Sequence, residues 1–140
     1  MLHTVLKRLS IFVALLCVAV GVSAQVYVGT LTVGNYTRQN VEARLSKKGD
    51  KVELLLKKVK FARMMPVTVD VTIADIQASA SGQEVRLVAD GVVPTAGDKS
   101  YERHLVRHFE GTASTTLNIN CSMGDKQMHF EGVRKSQKNK

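Results

Sequence analysis

Apolar and polar side chains alternate with period two along much of residues 25–134, and no stretch there sustains apolar positions at i, i+3, i+4 and i+7. This pattern predicts an all-β chain. Eight segments carry it, at residues 25–34, 38–47, 51–62, 66–79, 83–92, 103–112, 114–124 and 126–134. Short turn signals separate several of them: Asn35-Tyr36-Thr37, Lys48-Gly49-Asp50, Ser81-Gly82 and Gly124-Asp125. Such short links suit hairpins rather than crossovers, so sequential antiparallel neighbours are expected.

The inward face is expected to hold Tyr27, Gly29, Leu31 and Val33 in the first segment, and Val41, Ala43 and Leu45 in the second. In the fourth, Val67, Val69, Val71 and Ile73 alternate with polar residues, after which the apolar positions switch parity to Ile76 and Ala78. An extra residue near Ala74-Asp75 accounts for the switch, which predicts a β-bulge there. Val85, Leu87 and Ala89, then Leu105 and Phe109, then Leu117, Ile119 and Cys121, and finally Met128 and Phe130 continue the face. As an open sheet these strands would leave two unpaired edges. Closure into an eight-stranded antiparallel up-and-down β-barrel removes them, and a two-sheet β-sandwich is the structural alternative.

Tyr27-Val28-Gly29, Phe109-Glu110-Gly111 and Phe130-Glu131-Gly132 share an aromatic-x-Gly pattern. Ring and glycine then lie on one face, where a ring on one strand can cover the gap on its neighbour and the glycine permits strong coiling. Pairing of the first and last strands would bring Tyr27 close to Phe130.

Composition changes the picture at the N-terminus. Lys7 and Arg8 precede an apolar run from Leu9 to Val22, and Val22-Ser23-Ala24 reads as a small-residue cleavage site before Gln25. Residues 1–24 are therefore expected to be a secretory signal peptide, too short in its apolar part to span a bilayer. Export to the periplasm, the outer-membrane surface or the medium follows, with a barrel domain over 25–134 and a basic tail at 135–140. The remaining 116 of the 140 residues carry a net charge of +6 rather than +8, because Lys7 and Arg8 leave with the signal. They retain one cysteine, Cys121, so no internal disulfide can form and apolar burial must hold the fold. Its strand neighbours Leu117, Ile119 and Met123 mark Cys121 as a buried hydrophobe. An outer-membrane barrel would need aromatic girdles, whereas residues 25–140 hold three Tyr, three Phe and no Trp.

These features together resemble the calycin-like domain of exported Bacteroidetes proteins. The resemblance rests on Tyr27-Val28-Gly29-Thr30-Leu31-Thr32-Val33 directly after the signal, the Phe61 to Met65-Pro66-Val67 step into a long strand, and the closing Met128-His129-Phe130-Glu131-Gly132. It implies an eight-stranded calycin barrel, the architecture of lipocalins and avidins. It implies no activity and no binding residues.

Candidate chemistry is sparse. His104 and His108 would stand roughly 14 Å apart along a strand, too far to share a metal, and no Cys/His set suits zinc. Neither a Gly-x-Ser-x-Gly elbow, a phosphate loop nor a His-Glu-x-x-His segment occurs, so the expectation is a non-enzymatic protein without cofactor or metal. Two binding readings remain. In the first, a small, mainly apolar ligand sits in the barrel interior or its mouth, touching Tyr27, Leu31, Met64, Met65, Tyr101, Phe109 and Phe130, with the 93–102 connection as a mobile lid. In the second, an anionic glycan, lipopolysaccharide or protein partner meets a basic patch at Lys57, Lys58, Lys60 and Arg63 together with the tail. Residues 44–63 hold eight basic side chains and residues 134–140 four, which concentrates the charge. Nucleic acid is not expected, since no aromatic residues for base stacking interleave with these lysines.

Overall fold

The computed structural model describes residues 25–60 and 65–135. The expected signal peptide, the basic-patch residue Arg63, the mouth residue Met64 and the tail from Ser136 onward lie outside the described residues. Ten strands form: β1 (Gln25–Val33), β2 (Tyr36–Lys48), β3 (Lys51–Val59), β4 (Val69–Ser81), β5 (Glu84–Ala89), β6 (Thr95–Ala96), β7 (Lys99–Ser100), β8 (Val106–Ala113), β9 (Thr116–Met123) and β10 (Lys126–Arg134). A single 3-10 turn, Glu102–His104, lies between β7 and β8.

Eight of the strands follow one another around a closed antiparallel barrel in the order β3-β2-β1-β10-β9-β8-β5-β4, with β4 returning to β3. The up-and-down barrel read from the alternation is therefore the fold, and the sandwich is not. Closure leaves no free sheet edge along the main strands. The short β6–β7 ribbon hangs on β4 through a pairing of Thr72 with Thr95.

Alternation places one face of every main strand on the axis. Leu31, Val41, Leu54, Leu56, Ile73, Ile76, Leu87, Phe109, Leu117, Ile119, Met128 and Phe130 are the largest fully buried side chains, and the buried apolar residues form one continuous cluster. Each such Leu, Ile or Phe contributes roughly 1.5–3 kcal/mol by leaving water. Thr30, Thr32, Glu110, Asn118, Asn120, His129 and Glu131 occupy the opposite parity, so the outer wall is polar where the interior is apolar.

Four bulges bend the strands. Asn40, Lys58, Asp75 and His108 have φ of 60°, 55°, 58° and 53°, and each stands where its strand carries one residue more than its neighbour. The bulge at Ala74-Asp75 is the one expected from the parity switch. Bulging removes an amide from the ladder, and carboxylates replace the lost acceptors: Lys58 N–H donates to Asp70 Oδ1 (2.8 Å) and His108 N–H to Asp90 Oδ1 (3.0 Å).

Closure of the barrel depends on a glycine pair. Gly29 on β1 faces Gly132 on β10, and a Cβ on Gly29 would strike the Glu131 carbonyl oxygen and the Gly132 Cα. This pair separates Tyr27, which faces Arg134, from Phe130, which faces Leu31; the expected approach of the two rings is replaced by a backbone contact. The Phe130 ring covers Gly132 of its own strand, since a Cβ there would lie 2.8 Å from Cζ of Phe130. At Phe130-Glu131-Gly132 the ring thus acts within its own strand, whereas Gly29 and Gly111 abut the neighbouring strand instead of a ring.

Other departures from expectation have local causes. The segment 66–79 begins as strand only at Val69, so Val67, assigned to the inward face, is 62% exposed. Arg103 and His104 belong to the 3-10 turn, and the His108 bulge puts Val106 rather than Leu105 on the axis with Phe109.

The barrel has two distinct ends. One carries the Gly34-Asn35 and Gly124-Asp125 turns, the β3–β4 connection and residues 90–105; we term it the connection end. At the other, Lys135 N–H donates to Val26 O (2.8 Å) and Arg134 N–H to Thr115 O (2.8 Å), tying the β10 terminus beside the start of β1.

Substituting Gly29→Ala is expected to cost about 3 kcal/mol or more in urea unfolding, because the clash is with the β10 backbone rather than with a movable side chain. A loss under 1 kcal/mol on that scale would show that β1 and β10 separate easily. Asp70→Ala and Asp90→Ala are each expected to cost about 1 kcal/mol by orphaning a bulge amide that is solvent-accessible, whereas Asp98→Ala serves as the neutral control.

Candidate functional site

Four of the expected interior contacts are core. Tyr27, Leu31, Phe109 and Phe130 are 0–2% exposed and pack against other side chains over almost their whole surface. Tyr27 also seals the end opposite the connections: its hydroxyl donates to Ser114 O (3.1 Å), and burial raises its pKa, partly offset by the Arg134 charge.

The connection end gathers the others. Met65 and Tyr101 are half-buried and lean on the apolar core together with Val69 and Val92. Tyr101 N–H donates to Pro94 O (2.9 Å), and Pro94 is itself buried. The His104 N–H donates to Tyr101 O (3.0 Å), and the two rings sit 6.3 Å apart at a 51° tilt. Burial lowers the His104 pKa, with the Lys126 charge adding to the effect. Residues 92–105 are anchored at both flanks, by reciprocal Val92–Val106 hydrogen bonds of 3.0 and 2.8 Å and by Gly124 N–H donating to Leu105 O (3.0 Å). The 93–102 connection, expected as a mobile lid, is instead hydrogen-bonded into the wall through β6 and capped by the 3-10 turn.

The basic patch is partly neutralised. Lys57 lies 3.7 Å from Asp70, Lys48 lies 4.0 Å from Glu53, and Arg44 pairs with Glu42. Lys58, exposed at its bulge, and half-buried Lys60 form no ion pair among the described residues. Both stand where β3 reaches the connection end, the end that carries Met65, exposed Val67 and Tyr101. The apolar and cationic candidates therefore converge on one end of the barrel.

Comparison with known proteins finds no matching family model, curated protein or solved structure.

His104 and His108 are parted by the 3-10 turn and the bulge, and no group of three metal-ligating side chains exists among the described residues. His129 turns to the outer wall, with Nδ1 2.8 Å from Asn120 Oδ1 and Nε2 3.7 Å from Glu131 Oε1. On the same wall lies a cleft of about 370 Å³ lined by Ser81, Glu84, Arg86, Glu110, Thr112 and Asn118, among others. Sequence reasoning singled out none of these as a binding group. They come from four strands, and their only sequence mark is a polar position in the alternation; register alone brings them together.

Cys121 is buried on the axis, and burial pushes its thiol up to about 12. At pH 8 it is therefore a thiol, not the reactive thiolate. In protein lacking residues 1–24, and so Cys17, labelling by Ellman's reagent is expected to be negligible in the native state and to track the unfolded fraction as urea is added; rapid stoichiometric labelling of the folded form would contradict this burial.

Proposed function

We propose that this chain is an exported, non-enzymatic calycin-like barrel that binds a small, mainly apolar ligand at its connection end. One observation carries this reading: Met65 and Tyr101 lean half-buried on the continuous apolar core at the same end that exposes Val67. A ligand entering there meets apolar surface and extends the core outward. At the opposite end the Tyr27 hydroxyl closes against Ser114. The packed axis favours a ligand seated at the rim over one threaded to Phe109 and Phe130. The outer wall carries charged and hydroxyl side chains where a membrane-spanning barrel needs an apolar band, which favours a barrel outside the bilayer.

A second reading rests on Lys58 and Lys60, cationic side chains with no ion pair among the described residues. In it the same end meets an anionic glycan, lipopolysaccharide or protein surface, and attraction weakens as salt screens it.

Fluorescence titration with N-phenyl-1-naphthylamine separates the two. The apolar-ligand reading expects saturable enhancement that is insensitive to salt and weakened about tenfold, or 1.4 kcal/mol, by Tyr101→Ala or Met65→Ala. Absence of saturable enhancement, or unchanged affinity in both variants, would sink it. The surface reading expects lipopolysaccharide binding that high salt removes and that Lys57→Glu, Lys58→Glu and Lys60→Glu together abolish; binding unchanged in that triple variant excludes it.

A further inference from the structure

The cleft on the outer wall is separate from the connection end and is built by register. Arg86 on β5 faces Thr112 on β8, which faces Asn118 on β9; one step along, Val88 faces Glu110, which faces Asn120. These two cross-strand rows lie side by side, with Ser81 and Glu84 of the β4–β5 hairpin at their edge. Thr112 and Asn118 are half-buried and with the Gly111 backbone make a floor, whereas Glu84, Arg86, Glu110 and Asn120 are exposed and make a rim. Gly111 has the inward parity, between Leu87 and Ile119, so it presents only its backbone to the cleft. Strand pairing on both sides holds β8 and β9, so the floor is rigid.

The charges on the rim are not spent on one another. Glu110 is diagonal to Arg86 across the β5–β8 pair and Glu84 is two residues from it on one strand face, spacings that long side chains bridge. Nevertheless none of the three forms an ion pair among the described residues, while Glu42, Glu53 and Asp70 on the β2–β3–β4 wall each take a cation.

We propose that this cleft is a binding site for a short neutral saccharide. The lining contains no aromatic or large aliphatic side chain, which disfavours an apolar ligand. It presents carboxylates beside a guanidinium, so an anion meets Glu84 and Glu110 and a cation meets Arg86. A polyol satisfies both: its hydroxyls donate to the carboxylates and accept from the guanidinium and the amide N–H groups of Asn118 and Asn120. The Gly111 backbone and the Thr112 methyl leave an unobstructed floor for the less polar face of a sugar ring. The volume of about 370 Å³ matches the lower range of small-ligand sites, roughly 300–1,000 Å³, and suits one or two sugar residues.

The test is an NMR titration of ¹⁵N-labelled protein with maltose, cellobiose and N,N′-diacetylchitobiose separately, and with trilysine as a cationic competitor. At least one disaccharide is expected to give saturable shifts centred on the Gly111 and Thr112 amides and the Asn118 and Asn120 side-chain amides, undiminished by salt. Glu110→Gln and Asn118→Ala, whose folding is checked by their unchanged core methyl spectra, should each weaken that binding about tenfold. Tyr101→Ala should leave it unchanged, which keeps this site distinct from the connection end. The proposal is overturned if no disaccharide saturates, if saturation survives the Glu110→Gln/Asn118→Ala double variant, or if trilysine binds the same residues more tightly than any sugar.

Discussion

Everything in this fold depends on letting the first and last strands touch. A sheet with one apolar face and no disulfide gains stability only by wrapping that face completely, and the wrap is finished where β1 meets β10 at Gly29 and Gly132. Side chains at both positions would hold the backbones apart. The absence of two Cβ atoms is thus what converts a meander into an enclosed core, and the Phe130 ring then occupies the space that Gly132 leaves. The four bulges serve the same end by bending β2, β3, β4 and β8 where a straight strand would splay.

Complete wrapping also decides where binding chemistry can be. With Leu31, Phe109 and Phe130 packed on the axis, polar recognition is confined to the rims and the outer wall. The two surfaces described here divide accordingly. The connection end sets apolar side chains beside Lys58 and Lys60, which form no ion pair among the described residues, whereas the β5–β8–β9 wall offers hydrogen-bonding groups of both signs.

Much of the barrel was legible in the sequence because period-two alternation encodes the inward face directly. The parity switch between Ile73 and Ile76 even located a bulge to within a residue. Other bulges were hidden by their neighbours. Around Asn40 the residues before Val41 are polar on both faces, so no switch is visible; before His108, Leu105 stands next to Val106 and offers a false in-phase partner for Phe109. Residues 93–102 lack alternation because their strands are two residues long and are held by a hydrogen bond within the segment and by β4, a contact remote in the chain. Of the apolar site, Met65 and Tyr101 were identifiable as loop hydrophobes, but Tyr27, Leu31, Phe109 and Phe130 could not be told from packing residues, since both uses require an inward apolar side chain. The outer cleft was illegible for a different reason: Arg86, Thr112 and Asn118 become neighbours only once three strands are in register.

The hydrogen bond from Lys135 to Val26 gives the molecule a direction. Both β1 and β10 terminate at the end that Tyr27 plugs, so a tether attached at Gln25 or Lys135 departs from that face. Held to a surface through Gln25 or Lys135, the barrel would stand with Met65, Val67 and Tyr101 pointing outward and the β4–β5 hairpin facing the support.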